Sequence, residues 1–194
     1  MVIAERSRGK QRIYAAAAVL FRDKGYKATS MRDLASSVGL EPSSLYSHIK
    51  SKQELLHDIC FECGARFLLG IENISNSRRM AHEKIYDLIE LHVQVATDDV
   101  TATTVFNDEW RHIEQPALAE FKAMRKSYED QCQSIIEDGI EAGTFRPIQS
   151  HIVLNAILSS TQWIQRSKVQ DAESVTNTLA DLVLNGLLQQ NDKL

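Results

Sequence analysis

An all-α fold is predicted for this 194-residue chain from three observations. Apolar residues recur at helical spacing along most of its length, no segment alternates with a strand's two-residue period, and most of the eight glycines fall where one periodic run ends. The hydrophobic fraction of 43% supplies a core of ordinary size, either for one domain or for two small ones.

The elements follow in chain order. Ile13, Ala16, Ala17, Leu20 and Phe21 make the buried stripe of a first helix, and Gly25 supplies the left-handed residue that ends it. Ser30 with Asp33 forms the capping pair of a second helix, whose inner face is Met31, Leu34, Ala35 and Val38. Gly39 makes the turn. Glu41-Pro42 opens a third helix about two and a half turns long, with proline at the position where its missing N–H costs nothing. Leu45 and Ile49 face inward, which leaves Ser43, Ser44, Tyr46, Ser47 and His48 on the outer surface. Ser51-Lys52-Gln53-Glu54 reads as a full capping box for a fourth helix running to about Gly70.

Past the polar break Asn73 to Ser77 the pattern stays helical. Ile85, Leu88, Ile89, Val93 and Ala96 mark one helix, residues 103–113 a shorter one, and Leu118 through Ile140 a long one stopped near Gly143. Two more are expected over roughly 150–168 and 171–190. Ile152, Val153, Leu154, Ala156, Ile157, Leu158, Trp163 and Ile164 cover more than one face of the first. Val175, Leu179, Leu182, Val183 and Leu187 form a stripe on the last, with Leu184 and Leu188 beside it. Such surplus apolar surface points to homodimerisation through these two helices, with burial inside one chain as the other outlet.

Charge is divided along the chain. Residues 1–55 carry ten Lys and Arg against five acids, a balance of +5, so the remainder holds −9 of the total −4. A cationic segment joined to an anionic body suits a polyanion reader with a separate regulatory part. No stretch approaches the roughly 20 apolar residues of a membrane span, and no secretory signal is seen, so a cytoplasmic protein with no membrane partner is expected. Three cysteines, an odd number, fit a reducing compartment.

Two short helices meeting at Gly39 have the spacing of a helix-turn-helix, which makes double-stranded DNA the expected partner and residues 1–54 the DNA-binding domain, with 55–194 the remainder. Ser43, Ser44 and Ser47 lie where side chains reach base edges. Arg32 reads either a guanine or a phosphate. Lys52 and Thr29, at the entries of two helices, are expected to hold phosphates on either side of the groove. Arg6, Arg8, Lys10 and Arg12 form a basic arm that either tracks DNA or stays solvated.

Residues 10–56, above all Phe21, Gly25, Thr29-Ser30, Arg32-Asp33-Leu34-Ala35, Val38-Gly39, Leu45-Tyr46, His48-Ile49 and Lys52, resemble the DNA-binding domain of the TetR family of transcriptional regulators. The resemblance implies a TetR-like fold: an N-terminal three-helix helix-turn-helix domain followed by a helical ligand-binding and dimerisation domain. It implies a ligand-responsive regulator, usually a repressor, bound as a homodimer to a palindromic operator. It also assigns phosphate contacts to Tyr46 and His48, with a structural cap as the other reading of the histidine. Pro42-Ser43-Ser44 departs from relatives that place a small residue or glycine before the Leu-Tyr pair, which leaves the operator sequence open.

For a small-molecule effector, the expected ligand-facing set is Phe67, Phe106, Glu109, Trp110, Tyr128, Gln162, Trp163 and Arg166, aromatic rings among a few polar groups, with core filling as the alternative for the tryptophans. The segment from Glu109 through Tyr128 resembles relatives that control lipid, sterol or aromatic-acid breakdown and sense acyl-coenzyme A thioesters. A ligand among the later helices would tilt the fourth helix and move the readers out of register. Cys60 and Cys63, with His57, offer a thiol- or metal-responsive alternative, weighed against buried small cysteines. A ligand-independent DNA-binding protein is the other alternative. No cofactor or resident metal is expected. No nucleophile, base and orienter stand at informative spacing, so an enzyme is not expected.

Overall fold

The computed structural model describes residues 8–167 and 169–187. Among them are nine α-helices and no strand: α1 (Arg8–Lys24), α2 (Met31–Ser37), α3 (Pro42–Leu45), α4 (Lys52–Ser75), α5 (Ala81–Asp98), α6 (Val100–Asp108), α7 (Ala117–Glu141), α8 (Ser150–Thr161) and α9 (Ala172–Leu187). Single 3₁₀ turns follow α6 at Trp110–His112 and α8 at Ile164–Arg166.

Two compact units form. The first takes the described residues up to Ala65 together with Asp99–Lys122; the second takes Arg66–Asp98 and the described residues from Ala123 onward. In the first unit α1 packs on α2 and α6, and α2 packs on α3. Its core is built from Ile13, Ala17, Phe21, Leu34, Leu45, Ile49, Leu55, Ile59, Val105 and Phe121, all buried. In the second unit α5 is the central element, packed on α9, on α8 and on the 164–166 turn. Ile85, Leu88, Ile89 and Val93 are its buried stripe.

Several ends differ from the periodic reading, each for a local reason. Helix α4 passes through Gly70 and stops at Ser75. Gly70 serves packing there, because a Cβ on it would stand 2.5 Å from a Leu91 methyl. Helix α3 is one regular turn, continued by tight 3₁₀-type bonds from Ser47 N to the Ser44 carbonyl and from His48 N to the Leu45 carbonyl. The Ser47 hydroxyl also donates to the Ser44 carbonyl at 2.7 Å, the local competition that shortens serine-rich helices. Helix α8 stops at Thr161, where the Ser160 and Thr161 hydroxyls donate back to the Ile157 and Leu158 carbonyls. The apolar run continues past this point, which hid the stop.

On α9 the expected stripe is only half-covered: Thr176, Ala180 and Leu187 are buried, whereas Leu182 is 67% exposed. Leu188 and the expected end near Gln190 lie outside the described residues. No helix among the described residues is long and apolar enough to cross a membrane.

Candidate functional site

The candidate DNA reader is assembled by caps and turns. Ser30 accepts a hydrogen bond from Asp33 N on its side-chain oxygen, and Asp33 accepts one from Ser30 N at 2.8 Å, a complete capping box that fixes the start of α2. The Ser30 hydroxyl and the Ser30 N–H, both donating to the carboxylate, hold the Asp33 carboxyl down at about 2, together with Lys24 Nζ at 3.2 Å. Gly39, at φ +69°, turns the chain into α3, whose Leu45 is buried with Ile49 beneath the turn that follows. The outer side is as expected: Ser43, Ser44, Ser47 and His48 are exposed, and Tyr46 is 55% exposed. Arg32 is exposed as well. The His48 ring lies against Gly9 of α1, with its Cε1 3.6 Å from where a glycine Cβ would be.

Two residues expected at the DNA have partners within the protein. Thr29 is 1% exposed, and its hydroxyl donates to the Gly25 carbonyl at 2.9 Å and more weakly to that of Leu20. It closes the C-terminus of α1, because the last carbonyls of a helix need donors. Lys52 Nζ donates to the Tyr26 and Thr29 carbonyls, each at 2.7 Å, and sits 4.2 Å from the Tyr26 ring centroid. Partial burial lowers its pKa. Its ammonium is engaged with the turn before α2.

The capping box at α4 is also altered. Glu54 N donates to Ser51 Oγ as expected, yet the Glu54 carboxylate accepts from Lys50 N and from Lys10 Nζ at 2.8 Å. Lys10 and Arg12, read as part of a basic arm, are thereby tied down, Arg12 donating to the Val38 carbonyl at 3.3 Å. Arg8 begins α1, and Arg6 lies outside the described residues. The periodic reading missed Lys27 and Lys50, which are exposed. Among the described residues Lys27 and Arg32 hold no side-chain hydrogen bond or ion pair, and Lys50 is close enough to Glu54 for its charge to be felt there. The signal for Lys27 was its place beside the α1–α2 turn.

The expected ligand-facing residues fall in both units. In the first, Phe106 and Trp110 pack against buried Phe121 at 5.6 and 5.8 Å between ring centroids, and Glu109 pairs with His112 at 3.5 Å. In the second, Phe67 and Tyr128 are buried and join His92 in an aromatic cluster, with the Tyr128 hydroxyl 2.6 Å from His92 Nε2. Thr161 Oγ1 stands 3.4 Å from His92 Nδ1. Burial pushes His92 down to about 4, so its ring is neutral. Gln162, Trp163 and Arg166 follow the end of α8 and are exposed. A separate cleft of about 370 Å³ opens in the second unit beside Gly70, Ile74, Arg79, Asp87 and Leu91. Cys60 and Cys63 are buried, and desolvation raises the Cys60 thiol far above the range in which a thiolate forms. That disfavours the thiol- or metal-responsive alternative.

A capped helix-turn-helix that exposes serines, a tyrosine and a histidine from one short helix, beside unengaged cations, defines a DNA-binding transcription regulator. Residues 13–59 match the signature described as bacterial regulatory proteins, tetR family, and residues 79–187 match the tetracyclin repressor-like C-terminal domain. The chain belongs to the TetR family of bacterial transcription regulators, which are not enzymes. It is 27% identical over 188 residues to the HTH-type transcriptional repressor KstR2 of Mycolicibacterium smegmatis, covering 91% of this chain and 90% of that one. The structure of the ketosteroid transcriptional regulator KstR2 of Mycobacterium tuberculosis superposes with a TM-score of 0.89 at 21% identity, over 98% of this chain and 100% of the other. AibR, solved in complex with isovaleryl coenzyme A and operator DNA, gives a TM-score of 0.78 at 20% identity, over 89% and 96%. At these identities the two structural likenesses show the fold.

Proposed function

We propose that the chain is a ligand-responsive repressor that binds a palindromic operator as a homodimer and is released by a small-molecule effector, an acyl-coenzyme A or another hydrophobic metabolite. Residues 1–54 serve as the DNA-binding domain and residues 55–194 as the ligand-binding and dimerisation domain. The observation that carries this reading is the reader surface of Ser43, Ser44, Tyr46, Ser47 and His48, left exposed by a fold that buries Leu45 and Ile49 beneath it. Arg32, Lys27 and Lys50 supply charge for the phosphates around it.

Dimerisation through α8 and α9 is supported by Ile152, Trp163 and Leu182, 53%, 44% and 67% exposed in the single chain. Apolar side chains at this density on two terminal helices suit a second copy of the same surface. The relative KstR2, a transcriptional repressor, supports repression, and AibR, solved with isovaleryl coenzyme A, supports the effector class. Within the second unit, the Phe67, His92 and Tyr128 cluster supplies an apolar wall with a few polar groups for such a ligand. The protein works in the cytoplasm, where its DNA is, and needs no cofactor.

The experiment is selection of bound duplexes from a random-sequence library, followed by titration of the recovered duplex. A palindrome is expected, bound by two chains. If the two subunits neutralise about 6–10 phosphates, affinity falls roughly 10³- to 10⁵-fold between 50 and 200 mM salt. Isovaleryl and longer acyl-coenzyme A thioesters, added at saturation, are expected to release it. Recovery of no preferred duplex overturns the repressor reading, and a duplex indifferent to every acyl thioester overturns the effector class.

A further inference from the structure

The first turn of α4 sends three consecutive side chains to three different places, because neighbours on a helix point about 100° apart. Lys52 binds the Tyr26 and Thr29 carbonyls before α2, and Glu54 binds Lys10 of α1 and the backbone of Lys50. Gln53, between them, reaches across 59 residues of sequence. Its Nε2 donates to the His112 carbonyl at 2.7 Å, and its Oε1 accepts from Glu114 N at 3.3 Å. Both ends of the amide are thus used on the same short stretch that follows α6. The Tyr26 hydroxyl also lies beside Gln53, and the Tyr26 ring stacks on the His112 ring at 5.7 Å and 23°.

The 109–114 turn is therefore fastened to the reader at two of its structural supports, α4's start and the α1–α2 turn, all within one compact unit. Tyr26 is the shared piece: its carbonyl is held by Lys52, its ring stacks on His112, and its hydroxyl lies beside Gln53. A shift of the 112–114 backbone pulls Gln53, and with it the turn from which Lys52 and Glu54 hold the entry to α2 and the exit from α3.

We propose that Gln53 is a positioning residue that couples the 109–114 turn to the DNA reader, so that operator binding changes the turn and the state of the turn sets operator affinity. The proposal rests on the chain being an operator-binding regulator. Coupling between two sites is reciprocal, so it can be read from the DNA side with no effector present.

The test labels both tryptophans with 5-fluorotryptophan and follows their fluorine resonances as the operator duplex recovered by selection is added. Trp110 lies in the coupled turn, and Trp163, in the other unit, serves as the comparison. In the unaltered chain the Trp110 resonance is expected to move on binding. In Gln53→Met, which keeps the side chain's length and removes both polar ends, the movement is expected to vanish, while operator affinity drops by roughly tenfold, the equivalent of about one hydrogen bond. Tyr26→Phe, which keeps the ring stack and loses only the hydroxyl, is expected to reduce the movement without abolishing it, and guards against a folding defect in the first variant. A Trp110 resonance that ignores DNA in the unaltered chain, or moves equally in Gln53→Met, overturns the coupling while leaving the repressor reading intact. If no duplex is recovered, both fall together.

Discussion

Lys52 Nζ donates to the Thr29 carbonyl at 2.7 Å, tying the first turn of α4 to the residue whose own hydroxyl closes the end of α1. The ammonium acts inside the protein. Lys52→Met should therefore lower unfolding free energy by about 1.5–3 kcal/mol, the range for a hydrogen bond to a charged group, measured by denaturant titration. The salt dependence of operator binding should hardly change. Lys27→Gln, Arg32→Gln and Lys50→Gln should do the reverse, leaving stability near its parent value and flattening the salt slope by about 0.9 for each phosphate that is no longer neutralised.

The Ser30–Asp33 box makes α2 sensitive to acid. The Asp33 carboxyl is held at about 2, below the ordinary 3.8, so its contribution is complete above about pH 4 and is withdrawn as pH falls through about 2. Asp33→Asn should remove that part of the acid transition in a circular-dichroism titration. It should also weaken operator binding at neutral pH, because α2 supports the reader.

His92 carries a second pH dependence, in the other unit. Its folded value of about 4 lies below the ordinary 6.5, so the unfolded chain takes up a proton first as pH falls. Stability should be constant above about pH 6.5 and decline steadily down to about 4. His92→Gln should flatten that limb in thermal melts recorded across the range. Tyr128→Phe should cost about 0.5–1.5 kcal/mol at pH 7, for the hydroxyl's bond to the ring nitrogen.

Gly139, in the last turn of α7, is where Phe145 folds back: a Cβ there would stand 2.3 Å from two ring carbons and 3.0 Å from the Ala81 methyl. Helix propensity alone favours Gly139→Ala by about 1 kcal/mol, but overpacking a buried ring costs about 1–3 kcal/mol. Net destabilisation is expected, read as a lower melting temperature. A more stable variant would show that Phe145 moves aside freely.

The proposed dimer face is open to a charge test. Leu182→Glu changes a residue 67% exposed in the single chain, so the monomer's own fold should tolerate it. Sedimentation at micromolar concentration should show monomers, and operator binding should disappear along with the partner.

Much of this was readable in the residue order. Periodicity gave α1, α5 and α7 their buried faces, and Ser30 with Asp33, Gly39 and Gly143 marked boundaries that the structure keeps. Those signals are local. What stayed hidden depends on partners far away in sequence: Lys52 looks like a phosphate clamp until the Tyr26 carbonyl is seen beneath it, and Gly70 looks like a helix end until Leu91 is packed on it. Thr29 looks like a surface cap until α1's last carbonyls are found to need its hydroxyl. The membership of residues 99–122 in the reader's unit had no local signature at all, because α1 and α6 pack together from positions some eighty residues apart.

That discontinuous unit bears on how such regulators are recombined. A chimera joined once within helix α4 would import a foreign headpiece but keep the recipient's residues 99–122, leaving Gln53 opposite a backbone it did not evolve with and Arg22 without Thr101. Grafts that exchange both stretches together should keep their allosteric response where single-junction grafts retain only binding, which makes the natural module of inheritance two pieces of gene and not one.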